Sequence, residues 1–163
     1  MKKYLYILLT ICAVVFCGCS KDDDEKGGSL VIDGVNLVGT WAVEDPDEYI
    51  KPGYVDELVV FTEKDVKGYY ISDDALDRFR DEGKPWNEWG FTYSNGYLYG
   101  CTMRDFDPEG PAMEIHVDGG KLYAAGFDLR VKVINEDKLT YHYVFSDRED
   151  DNPVTLLRVK GFK

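Results

Sequence analysis

Leu37-Val38-Gly39-Thr40-Trp41-Ala42-Val43 is a short apolar strand carrying a Gly-x-Trp, and its reading decides the fold. β-Branched and aromatic side chains suit a pleated, half-buried surface. C-terminal to this stretch, strand-like runs recur every ten residues or so with turn signals between them. That spacing is the pattern of an antiparallel sandwich or barrel, here one that closes around Trp41.

The hairpins can be placed by their turns. Residues 55–62 and 66–71 pair across Glu63-Lys64-Asp65, and Asn95-Gly96 between alternating runs is the clearest two-residue turn. In that register Tyr93 faces Leu98, Phe91 faces Gly100 and Trp89 faces Thr102. Gly119-Gly120 joins a pair whose inner face carries Met113, Ile115, Val117, Leu122 and Ala124. Residues 129–134 and 139–145 pair across a four-residue loop, Asn135 to Lys138, which puts His142 on the face of Val131, Val133 and Val144. Residues 154–162 form the last strand. Between the first hairpin and Asn95-Gly96, the polar Ser72-Asp73-Asp74 precedes Ala75, Leu76 and Phe79 at helical spacing, with Arg78 and Arg80 near the end and Gly83 beyond. This predicts one short capped helix that lids or plugs one end of the sheet.

Upstream of the strand the chain reads as delivery and tether. A cationic Met1-Lys2-Lys3 and an apolar run over 4–16, too short to span a bilayer, lead to Phe16-Cys17-Gly18-Cys19. This resembles the lipobox of bacterial lipoproteins, in which cleavage precedes the cysteine and its thiol is acylated. The resemblance implies a signal peptide over 1–18 and fatty-acyl (palmitate-type) attachment at Cys19, which anchors the chain in a membrane. Ser20 to Ser29 is polar and glycine-ended, a flexible tether expected to run to residue 35. Its Lys21-Asp22-Asp23-Asp24-Glu25 run resembles the acidic tag that routes some Gram-negative lipoproteins to the outer face of the outer membrane. The expected address is therefore the outer membrane, facing the cell exterior.

Charge excludes some partners. The 163-residue chain has a formal net charge of −12, and without Lys2 and Lys3 it carries 31 acidic against 17 basic groups, a net −14. Such a surface repels phosphate backbones and anionic headgroups, so nucleic acid is not an expected partner. Of the four cysteines, Cys12 and Cys17 fall in the signal and Cys19 is the acylation site, which leaves Cys101 as a packed, free thiol.

Gly39-Thr40-Trp41 at the first strand, antiparallel hairpins, and Arg158 in Thr155-Leu156-Leu157-Arg158-Val159 at the last together resemble the lipocalin-like β-barrels of bacterial lipoproteins. The likeness spans residues 36–163. It implies an all-β fold, an antiparallel up-and-down barrel of about eight to nine strands with one short helix. It also implies that Trp41 sits at the closed end with Arg158 packed over it, a structural pair. In this chain the helix lies mid-sequence instead of before the last strand.

Residues with catalytic chemistry are sparse. His116 and His142 are the only histidines, and neither stands at metal-ligand spacing with the other or with Glu114. Asp105-Phe106-Asp107-Pro108-Glu109-Gly110 superficially resembles a calcium loop, but its twelfth position is His116 where a bidentate Glu belongs. A solvated turn is the expectation. No nucleophile elbow or phosphate loop is present, so neither an enzyme activity nor a cofactor or metal site is expected. Trp86, Trp89, Phe91, Tyr93, Tyr97 and Tyr99 gather around one hairpin and are the candidate ligand contacts. The expected function is a lipid-anchored barrel that binds or sequesters a small apolar molecule. The alternative is a surface interaction or adhesion module, glycan-binding through Trp86, Trp89 and Tyr97, around a side-chain-filled barrel.

Overall fold

The computed structural model describes residues 30–44, 50–125, 127–145, 148–149 and 153–163. The expected signal, Cys19 and the acidic run to Ser29 lie outside the described residues, as do 45–49, 126, 146–147 and 150–152. In chain order the strands are β1 (Val31–Ile32), β2 (Val35–Asn36), β3 (Gly39–Glu44), β4 (Tyr54–Val55), β5 (Glu57–Phe61) and β6 (Asp65–Ile71). Helix α1 (Asp73–Asp81) follows, then β7 (Phe91–Ser94), β8 (Tyr97–Tyr99), β9 (Phe106–Pro108), β10 (Met113–Asp118), β11 (Lys121–Ala124) and β12 (Phe127–Asn135). The chain ends with β13 (Lys138–Phe145), β14 (Arg148–Glu149), β15 (Val154–Val159) and β16 (Gly161–Phe162).

Eight antiparallel strands close into a barrel in the order β10-β11-β12-β13-β15-β3-β5-β6, with β6 returning to β10 and β9 extending the wall on β6. The closing seam consists of two pairs, Met113 with Val66 and Glu114 with Asp65. Side chains alternate between inside and outside along each strand. The inner core gathers Trp41, Val43, Val59, Phe61, Val66, Ile115, Leu122, Leu129, Leu139 and Leu156.

Leu30, Ile32 and Leu37 join the same core, Leu30 only 1% exposed. The expected boundary at residue 36 is therefore too late. The apolar pair Leu30 and Ile32 cannot serve as solvated tether, and the β1–β2 hairpin folds them into the barrel.

A second core lies outside the barrel. Ala42, Leu58, Leu157 and Val159 point outward from β3, β5 and β15 and meet Ala75 and Phe79 of α1 with Phe91, Leu98 and Phe106. Phe91 is its hub, with ring centroids 5.2 Å from Phe79 and 5.4 Å from Phe106. This explains why Leu58-Val59-Val60-Phe61 is a continuous apolar run: the wall is covered on both faces there. Helix α1 is capped as its sequence implies, the Ser72 hydroxyl accepting from the Ala75 N–H, but it packs against the barrel flank instead of an end.

The Asn95-Gly96 hairpin forms in the expected register, Tyr93 opposite Leu98, but it belongs to a separate sheet ordered β16-β8-β7-β4. There Phe91 pairs with Val55 on the β4 side, the β7–β8 pairing ends at Thr92 with Tyr99, and the Gly100 N–H donates to the Lys163 carbonyl. One register reading is corrected, that of β12–β13, where the turn is two residues, Glu136 and Asp137, with a register shift between Val133 and Asn135. Val131 therefore faces Tyr141, and His142 lies opposite Arg130 on the outer face. A one-residue slip exchanges the two faces of a strand, and Ile134, at the irregularity, is 50% exposed.

Candidate functional site

Closing eight strands leaves an interior just wide enough for side chains or one small ligand. One end is shut by Trp41 and Arg158. Trp41 is fully buried and its Nε1–H donates to the Leu37 carbonyl at 2.8 Å. Arg158 lies directly opposite it across β3–β15, its guanidinium carbon 4.2 Å from the indole centroid. The guanidinium donates to three carbonyls, Nη2 to Asn36 at 2.6 Å, Nε to Glu136 at 2.8 Å and Nη1 to Val38 at 3.4 Å. One cation thus ties the β1–β2 hairpin and the Glu136-Asp137 turn to the barrel end. Gly39, at φ 136°, adopts backbone that L-residues avoid, and a Cβ there would stand 3.5 Å from Arg158 Nη1. The Gly-x-Trp spacing is thereby accounted for: glycine lets the chain turn under the arginine, and tryptophan receives it.

Beyond Trp41 the interior holds a cavity of about 80 Å³. Its wall is apolar, formed by Leu37, Val59, Phe61, Val66, Leu122, Leu129, Val131 and Leu139, with Tyr141 the aromatic polar group. Exposed Glu109 and Met113, half-buried Glu57 and the bare backbone of Gly68 mark its mouth. Drug-sized ligands occupy roughly 300–1,000 Å³, so this space suits a small group or the end of a chain.

The six aromatics singled out in the sequence do not line this cavity. Phe91 is buried in the second core. Trp89 is half-buried, its Nε1–H donating to the Lys84 carbonyl at 3.0 Å. Tyr93 donates its hydroxyl to the Arg158 carbonyl at 2.9 Å, and Lys163 Nζ sits 3.5 Å above the Tyr97 ring. Trp86 and Tyr99 are exposed, at 62% and 41%. Sequence reasoning missed Tyr141, because of the β12–β13 register, and Glu57 and Gly68, and it placed Glu109 in a solvated turn instead of at the cavity. A glycine inside a strand was the available signal, since it often marks close approach of another group.

The acidic run 105–110 is neither a turn nor a loop at its centre. Asp107 and Pro108 pair with Tyr70 and Tyr69 as strand β9. Asp105 accepts from the Thr102 N–H and ion-pairs with Arg78 at 3.0 Å. Burial pushes its carboxyl up, but those partners more than offset it and hold it below the usual range. His116 stacks on Tyr123 with centroids 5.1 Å apart. Among the described residues no three His, Cys, Asp or Glu side chains are placed to hold a metal ion.

Cys101 is buried and its thiol is pushed from 9.0 up to about 12, first by burial and then by the Asp105 charge, with Arg78 opposing. The thiolate is the nucleophile, so alkylation of the native protein at pH 8 should be on the order of a hundredfold slower than in denaturant. Equal rates would contradict the burial. Linkage has a definite sign here: below pH 9.0 both states keep the proton, and as pH rises from there toward 12 the unfolded state ionises first. Stability should decline across that window.

Comparison of the chain with protein-family models, with curated proteins and with solved structures gave no match.

Proposed function

We propose that this chain is a non-catalytic, lipid-anchored binding protein whose barrel receives a small apolar molecule or the apolar end of a larger one. The observation that carries the reading is the apolar cavity of about 80 Å³ behind a mouth that includes exposed residues. Enclosing apolar surface there contributes roughly 25 cal/mol for each Å² removed from water, with no chemistry required. The lipobox-like Phe16-Cys17-Gly18-Cys19 and the acidic run after it support attachment through acylated Cys19 at the outer membrane, facing outward.

Native mass spectrometry of the protein released gently from its own cell envelope tests this. The expected spectrum shows a reproducible added mass, beyond the acyl modification, that organic solvent removes. A bare acylated polypeptide in every preparation would count against tight cargo. The glycan-binding alternative is favoured by one observation, the 62% exposure of Trp86. Sugar binding abolished by Trp86→Ala would move the assignment to that surface.

A further inference from the structure

We infer that the molecule entering the cavity is a short-chain cationic amphiphile, an alkyl group of a few carbons ending in an ammonium; the inference rests on the cavity reading above. The size follows from the volume. About 80 Å³ is roughly half of an engineered apolar cavity that accepts benzene. A chain of about four carbons suits it, and a long acyl tail does not.

The charge follows from the mouth. Glu57 begins β5 opposite Tyr70, and Gly68 lies two residues before Tyr70 on β6. The Glu109 N–H donates to the Gly68 carbonyl at 3.0 Å, which fixes Glu109 over the same short stretch of β6. Glu57 and Glu109, on the two sides of β6, both line the cavity, so two carboxylates flank its opening. Gly68 is what admits the second: a Cβ there would lie 2.7 Å from Glu109 Oε2. Its φ is not in the left-handed region, so steric room and not backbone conformation is what its missing side chain supplies. Among the described residues no lysine, arginine or histidine lines the cavity. An anionic head would meet like charge at this mouth, whereas an ammonium would meet two carboxylates in a chain of net charge −12.

The test is a chemical-shift titration of methyl-labelled full-length chain in nanodiscs with n-butylammonium, n-butanol and n-butyrate, three probes of one chain length. Butylammonium is expected to shift the Val59, Leu129 and Val131 methyls with at least tenfold tighter binding than butyrate, and raising salt should narrow the gap. The double variant Glu57→Gln, Glu109→Gln should bring the three probes within about threefold of one another. Gly68→Ala, which displaces the Glu109 carboxylate while leaving both glutamates, should weaken the ammonium preference alone. Butyrate binding as tightly as butylammonium, or a preference that survives the double variant, overturns the cationic assignment and leaves the cavity reading standing. Methyls untouched by all three probes overturn both.

Discussion

Trp41→Ala is expected to lower the unfolding free energy by about 3–5 kcal/mol, the range for truncating a buried large aromatic side chain. Three losses coincide at this position. The indole is 0% exposed, so its removal leaves a void among Val59, Leu139 and Leu156 that a closed barrel cannot collapse to fill. The Leu37 carbonyl loses its Nε1–H donor. Arg158 loses the ring beneath it, a contact contributing about 0.5–2 kcal/mol depending on desolvation. Equilibrium denaturation in urea checks this, and Trp41→Phe should recover the larger part by restoring a ring without the hydrogen bond. A change below 1 kcal/mol for the alanine variant would mean that Trp41 does not hold the barrel end.

Arg158→Ala is expected to cost about 2–4 kcal/mol, with each hydrogen bond from a charged group contributing roughly 1.5–3 kcal/mol before solvent screening. The screening matters because the guanidinium is only part-buried. Three carbonyls, on Asn36, Val38 and Glu136, lose their donor at once. Lysine should restore little of this, since a single ammonium cannot reproduce a planar fork aimed at three acceptors. A double-mutant cycle between positions 41 and 158 should give a coupling of about 0.5–2 kcal/mol. Zero coupling would separate the two residues into independent contributors.

The pair was legible because its chemistry is local and directional: a Gly-x-Trp opening the first strand and an Arg in the last can meet only if the strands neighbour each other, as β3 and β15 do. The closed barrel followed from spacing and turn residues. The placement of the aromatics did not. Strand periodicity says that Phe91 and Tyr93 share a face, but not whether their hairpin belongs to the wall or rides on it. The decision is made by Val55 pairing with Phe91 and Gly161 with Tyr97, long-range pairings that leave no local trace. The same limit hid Tyr141. A single extra residue in β12 moved it from outside to inside, and nothing in Val133-Ile134-Asn135 announces the irregularity. The apolar pair Leu30 and Ile32, directly after the polar glycine-ended stretch, is the local signal that the folded unit begins before residue 36.

The barrel interior is the claim on which the functional account depends, and xenon reports on it directly. A crystal of the protein under xenon pressure should show one xenon atom in contact with Leu129, Val131 and Leu139, and Val131→Phe should remove it by occupying the cavity. An interior without xenon, or one occupied by ordered water, would contradict a dry apolar binding cavity.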